Sequence, residues 1–147
     1  MEPLADDFTP GWLQARLTRR AGKIKAVLLD QGLIGGLGNI YVDEALFSAG
    51  IHPERTANTL TEQELSRLVP AIRNVLQAAL ARRGTTFSSF EDADGQSGGY
   101  GIDLRVYGKG GKAPCPVCAG PLLRLTVGGR GTSYCPVCQP ITQAVDA

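Results

Sequence analysis

The chain has no run of 18 apolar residues, so no stretch of it is expected to cross a membrane as a helix. Its opening residues, MEPLADDF, are acidic and hold no apolar core, which reads against a signal peptide. There is no bulk excess of charge: 15 Lys and Arg against 14 Asp and Glu leave +1, so net charge does not announce nucleic-acid binding. No internal repeat is present, which excludes a repeat array. Histidine occurs once, at His52 before Pro53, and reads as structural rather than catalytic. What remains is ordinary globular material, 43% apolar and 20% charged, which excludes wholesale disorder. The 147 residues allow one medium domain, or a helical domain with a small appendage.

Charge is scarce in sum but uneven in distribution. From Leu104 to Cys138 the chain carries Arg105, Lys109, Lys112, Arg124 and Arg130 and no acid. From Arg16 to Lys25 it carries Arg16, Arg19, Arg20, Lys23 and Lys25, again with no acid. Such acid-free basic segments suit phosphate.

The first part reads as helices. Thr9 is an N-cap with Pro10 at the first helical position and Phe8 and Leu13 at the staple positions. Trp12 on this helix reads as core. A short helix is expected from Lys23 to Gln31. Four glycines in GLIGGLGN then break the chain, and Asn39 is expected to cap a third helix, IYVDEALFSA, closed by Gly50. Asp43 and Glu44 fall in its first turns, where the dipole favours acids. Thr61 and Glu64 form a capping box for a fourth helix, which Pro70 should bend or cost one hydrogen bond and which ends at Arg82-Arg83-Gly84. Beyond it, LRVYG, LLRLTV and TSYC read as short strands, and Glu91, Asp92 and Asp94 as a solvated loop.

The four cysteines, Cys115, Cys118, Cys135 and Cys138, form two C-x2-C pairs. Two knuckles at this spacing make a tetrahedral four-thiolate zinc site, with paired disulfides or iron as the alternatives. Four protein ligands close the site, so the zinc is structural. So small a β segment should need it to fold. The thiolates bring a formal −2, against which five bases still leave a basic hairpin.

GLIGGLGN has two readings. It is a tight interhelical turn, or it is an anion site in which backbone N–H groups and the Asn39 amide gather at a positive helix end. It is not a P-loop, because no Lys-Ser/Thr pair follows the glycines.

The runs IKAVLLDQ, GLGNIYVDEALFSAGIHP, GTTF, LRVYGK and CPVC…GGRGTSYCPVCQ together resemble the C-terminal half of bacterial formamidopyrimidine-DNA glycosylases, whose wider family includes endonuclease VIII. The resemblance covers roughly Asp6 to Gln139. It implies a mainly α fold with a small β zinc finger: a helix–two-turn–helix bundle over residues 1–84, a lesion-capping loop over 85–103, a four-cysteine finger over 104–139 and a tail over 140–147. It also implies a partner, duplex DNA carrying an oxidised purine or an abasic site, in base-excision repair at a bacterial nucleoid. By position, Asn39, Lys25, Arg20 and Tyr107 would meet the DNA backbone. Arg130 would grip the phosphate at the lesion and donate the proton in δ-elimination. Arg124 joins this set as part of the basic hairpin.

The family's nucleophile is a free N-terminal proline on a separate β-sandwich domain. This chain begins Met1-Glu2-Pro3, where Pro3 is not expected to become a terminus. Glycosylase activity is therefore expected to be absent or supplied in trans by an N-terminal domain, with weak Schiff-base chemistry at Lys23 or Lys25 as a further option. The reading outside DNA repair is a zinc-ribbon protein-interaction module.

Overall fold

The computed structural model describes residues 1–92 and 104–141, except the side chains of 82–92. Four helices come first: α1 (Pro10–Leu17), α2 (Ile24–Leu28), α3 (Asn39–Ala49) and α4 (Glu62–Asp92), with a 3-10 turn at Ala57–Thr59 before α4. A hairpin of β1 (Leu123–Val127) and β2 (Arg130–Tyr134) follows. Its register pairs Leu123 with Tyr134 and Val127 with Arg130, leaving Gly128-Gly129 as a two-residue turn. Both glycines have positive φ, the twist that such a turn requires.

Local chemistry accounts for the helix starts. Thr9 accepts the N–H of Trp12, while Phe8 and Leu13 are both fully buried. Thr61 and Glu64 exchange bonds: the Glu64 N–H donates to Thr61 Oγ1 at 3.1 Å, and Thr61 N–H donates to Glu64 Oε1 at 2.8 Å. Trp12 is half-buried, packed edge-on against Phe8 with Arg16 over its ring. The helical core runs through Leu13, Leu17, Leu28, Leu46, Leu65 and Leu68. A second, smaller cluster in the finger joins Val106, Leu122, Cys115 and Cys135 to one residue of α3, Phe47.

Four expectations need correction. The fourth helix does not stop at Gly84 but continues to Asp92, so residues 85–92 are helical and only 93–103 of the expected loop lie outside the described residues. A single glycine costs a helix only about 1 kcal/mol relative to alanine, too little to end one that packs. Pro70 sits inside α4, on its exposed side, and leaves one carbonyl without a helical donor, in keeping with the expected cost of one hydrogen bond. The α3 cap is Gly38, with Asn39 as the first helical residue. The second helix ends at Leu28, because Asp30 and Gln31 turn their side chains onto the N–H groups of Gly32 and Gly36. Finally, LRVYG is not a strand, since its N–H groups are taken by a carboxylate.

Candidate nucleic-acid interface and metal centre

That carboxylate is Glu44. Its oxygens accept three consecutive backbone N–H groups, from Arg105 and Val106 at 2.9 Å and Tyr107 at 2.8 Å. Its neighbour Asp43 accepts the Ser133 N–H at 3.1 Å and the Lys25 ammonium at 2.7 Å. The sequence suggests a helix-dipole role for both acids. Both are instead buried and aimed into the finger. Gln139 adds a third tie: its Oε1 accepts the Cys135 N–H and its Nε2 donates to the Ile51 carbonyl. Nothing local in the sequence marks these partners, which lie some sixty to ninety residues away.

Lys25 has no exposed surface. Besides Asp43, it donates to Thr132 Oγ1 at 2.7 Å and to the Gly131 carbonyl at 3.0 Å. Burial pulls its pKa down against the raising pull of Asp43, and the nearby Arg130 adds to the fall. Burial likewise pushes the Asp43 carboxyl up, against Lys25 and the Ser133 N–H. Three acceptors around one Nζ need three protons, so this cluster is built for the ammonium. Lys25 thus joins helix to hairpin, and does not stand as an open cation for a ligand.

The Asn39 Nδ2 donates to the same Gly131 carbonyl at 3.3 Å, and its buried Oδ1 has no partner among the described residues. Gly131 follows Arg130, which is exposed at the start of β2 beside the hairpin turn. Arg124 is also exposed, and a Cβ on Gly131 would meet its guanidinium at 2.7 Å, so it lies along the same part of the hairpin. The structure therefore brings Asn39, Arg124 and Arg130 to one place, with Lys25 beneath it. It ties Arg20 instead to Asp30, 3.1 Å away in a surface pair. Tyr107 is half-buried, fixed through its N–H on Glu44. Lys23 pairs with Glu54 at 3.0 Å. His52 is buried against Tyr134, and its Nδ1 accepts the Glu54 N–H; burial lowers its pKa and keeps it neutral. Its burial and its contacts, rather than its charge state, agree with a structural histidine.

At the other end of the hairpin the four cysteine sulfurs all lie within 4.8 Å of one another. Cys115 and Cys138 Sγ are 3.9 Å apart, and Cys118 and Cys135 Sγ 3.6 Å. Bonds of about 2.3 Å to a tetrahedral zinc put sulfurs about 3.8 Å apart, so the set fits one zinc ion. Knuckle N–H groups already point at the sulfurs: Val117 and Cys118 to Cys115, Gly120 to Cys118, and Cys138 to Cys135. Burial would raise the Cys115 thiol, but these N–H bonds bring it down to about 7. Burial and the neighbouring thiols push Cys138 up to about 12.

Residues 1–91 match the family model described as the formamidopyrimidine-DNA glycosylase H2TH domain. Residues 113–141 match the zinc finger found in FPG and IleRS. The chain is 51% identical over 144 residues to a formamidopyrimidine-DNA glycosylase of Symbiobacterium thermophilum, covering 98% of this chain and 47% of that protein. Among solved structures, Lactococcus lactis Fpg bound non-covalently to AP-site DNA superposes with a TM-score of 0.79 at 40% identity, over 95% of this chain and 48% of that one. The complex of the Lactococcus lactis protein with FAPY-dG DNA gives 0.79 at 41% identity, over 95% and 50%. The chain spans about half the length of the curated relatives it matches.

Proposed function

Because the chain belongs to the formamidopyrimidine-DNA glycosylase family, we propose that it grips the backbone of duplex DNA containing an oxidised purine or an abasic site. The supporting observation is the convergence on Gly131: the N-terminus of α3 and the tip of the finger are bonded side by side, so Asn39 and Arg130 offer donors to one stretch of DNA backbone. Arg124 extends this basic surface. Arg20 joins by exchanging Asp30 for a phosphate, and Tyr107 by its place next to the Glu44 carboxylate. Lys25 contributes by holding the hairpin rather than by touching phosphate. Such contacts position DNA without reading its sequence. Arg130 would donate the proton in δ-elimination when a nucleophile is present. The family nucleophile is an N-terminal proline, and these 147 residues taken alone are expected to bind without excising; mixed with a β-sandwich domain bearing that proline, they would complete a glycosylase and AP lyase. The setting would be the bacterial nucleoid.

The test is fluorescence anisotropy on zinc-loaded protein with a duplex carrying a tetrahydrofuran abasic analogue, alongside a nicking assay with borohydride trapping on a true abasic site. Arg130→Ala should weaken binding by roughly tenfold or more, as expected for loss of a charge-assisted phosphate contact. Unchanged affinity would favour the zinc-ribbon interaction module. Trapping by the 147 residues alone would show that a primary amine of this chain, a lysine or the Met1 α-amine, replaces the proline.

A further inference from the structure

The two zinc knuckles share the sequence CPVC, and the valine of each is exposed: Val117 at 63% and Val137 at 65%. Both line one open cleft of about 520 Å³ between the finger, the C-terminal end of α3 and α4. The cleft is also lined by Phe47, Arg67, Arg105 and the zinc-ligand Cys138 and, among the described residues, by no Asp or Glu. Arg105 stacks on Phe47 with its guanidinium carbon 4.8 Å from the ring centre, and its N–H edges have no partner among the described residues. Arg67 uses Nε on the Ala49 carbonyl at 3.0 Å. Neither arginine is in an ion pair among the described residues. The zinc-ligand sulfurs next door receive knuckle N–H groups, and neither arginine is bonded to a sulfur among the described residues.

We infer that this cleft docks an acidic peptide segment of a partner protein, with apolar side chains seated between Val117 and Val137 and carboxylates on Arg67 and Arg105. Charge complementarity and exposed apolar anchors support a peptide over a second stretch of DNA, since phosphate has no use for paired valines. The position agrees. Asn39 and the cleft sit at opposite ends of α3, about 12–16 Å apart along its axis, so DNA on one end leaves the other open. This site does not rest on the DNA-binding proposal above.

The experiment uses the whole zinc-loaded chain and a fluorescein-labelled peptide, Asp-Glu-Leu-Asp-Glu-Leu, with Asp-Glu-Ser-Asp-Glu-Ser as the charge-matched control. The leucine peptide should bind at least fivefold more tightly than the serine peptide. Arg67→Glu should weaken it by roughly fivefold or more, the scale of a half-exposed charge pair. Val117→Ser with Val137→Ser should erase the preference for leucine without loss of zinc. Unlabelled duplex DNA should not displace the peptide. The proposal fails if both peptides bind alike, or if DNA competes in proportion to its own affinity. It fails equally if sedimentation shows a dimer that Val137→Ser dissolves, which would assign the cleft to a second copy. Removal of residues 142–147 should leave peptide affinity unchanged; a rise would assign the cleft to the chain's own tail.

Discussion

Glu64 serves two neighbours with one carboxylate. It closes the capping box of α4, and it takes both Nη groups of the buried Arg55 at 2.7 and 3.0 Å. Burial alone would raise its pKa, but the Arg55 hydrogen bonds and the Thr61 N–H outweigh that and hold it below its ordinary 4.5. The folded state therefore releases this proton more readily than the unfolded chain. The resulting stability is complete above about pH 4.5 and is lost as pH falls through the folded value. Glu64→Gln strands a buried guanidinium and should lower stability by about 3 kcal/mol at pH 7. In melts from pH 7 to 3, the gap between wild type and Glu64→Gln should close on the acid side. The capping box was legible in the sequence because its partners are three residues apart. The pairing with Arg55 was not, because nothing in a local window distinguishes a buried arginine from a solvated one.

Among elements, α3 carries the joints. Glu44 holds three N–H groups of the segment that enters the finger, and an alanine there would leave them buried or force the segment off the helix. Glu44→Ala should cost about 3 kcal/mol in urea unfolding and weaken abasic-duplex binding, while Glu44→Gln, which keeps one acceptor oxygen, should recover part of both. This joint explains the mistaken strand. LRVYG has the alternation and the β-formers of a strand, but its donors face a carboxylate rather than a second backbone. Asp43 and Glu44 were legible only as acids near a helix start, because their partners come from a distant part of the chain. The elements whose signals are local are legible: the Thr9 and Thr61 starts and the Gly50 stop in left-handed conformation. The cysteine knuckles belong with them, since spacing alone announces them.

At the scale of the molecule the described residues form two apolar clusters of unequal size. The helical one has Leu, Ile and Val from all four helices, while the finger cluster has few residues beyond its cysteines. Metal removal should therefore divide the molecule. Chelation of the single expected zinc should disorder the finger, abolish abasic-duplex binding and leave most of the far-UV helical signal intact. Metal content, circular dichroism and anisotropy on one sample check all three. Loss of the helical signal together with the zinc would mean that the helices depend on the finger for their packing.

The eleven residues of α3 meet the finger at several heights: Asn39 at the hairpin tip, Asp43 and Glu44 along its flank, Phe47 in its core and Gly50 against the Cys138 carbonyl. One residue inserted midway would turn the later contacts about 100° away from the earlier ones and shift them by about 1.5 Å. The helix is thus a gauge block that sets the position of the finger against the helical core. Its length in residues, more than the identity of its exposed side chains, is what keeps those contacts in step.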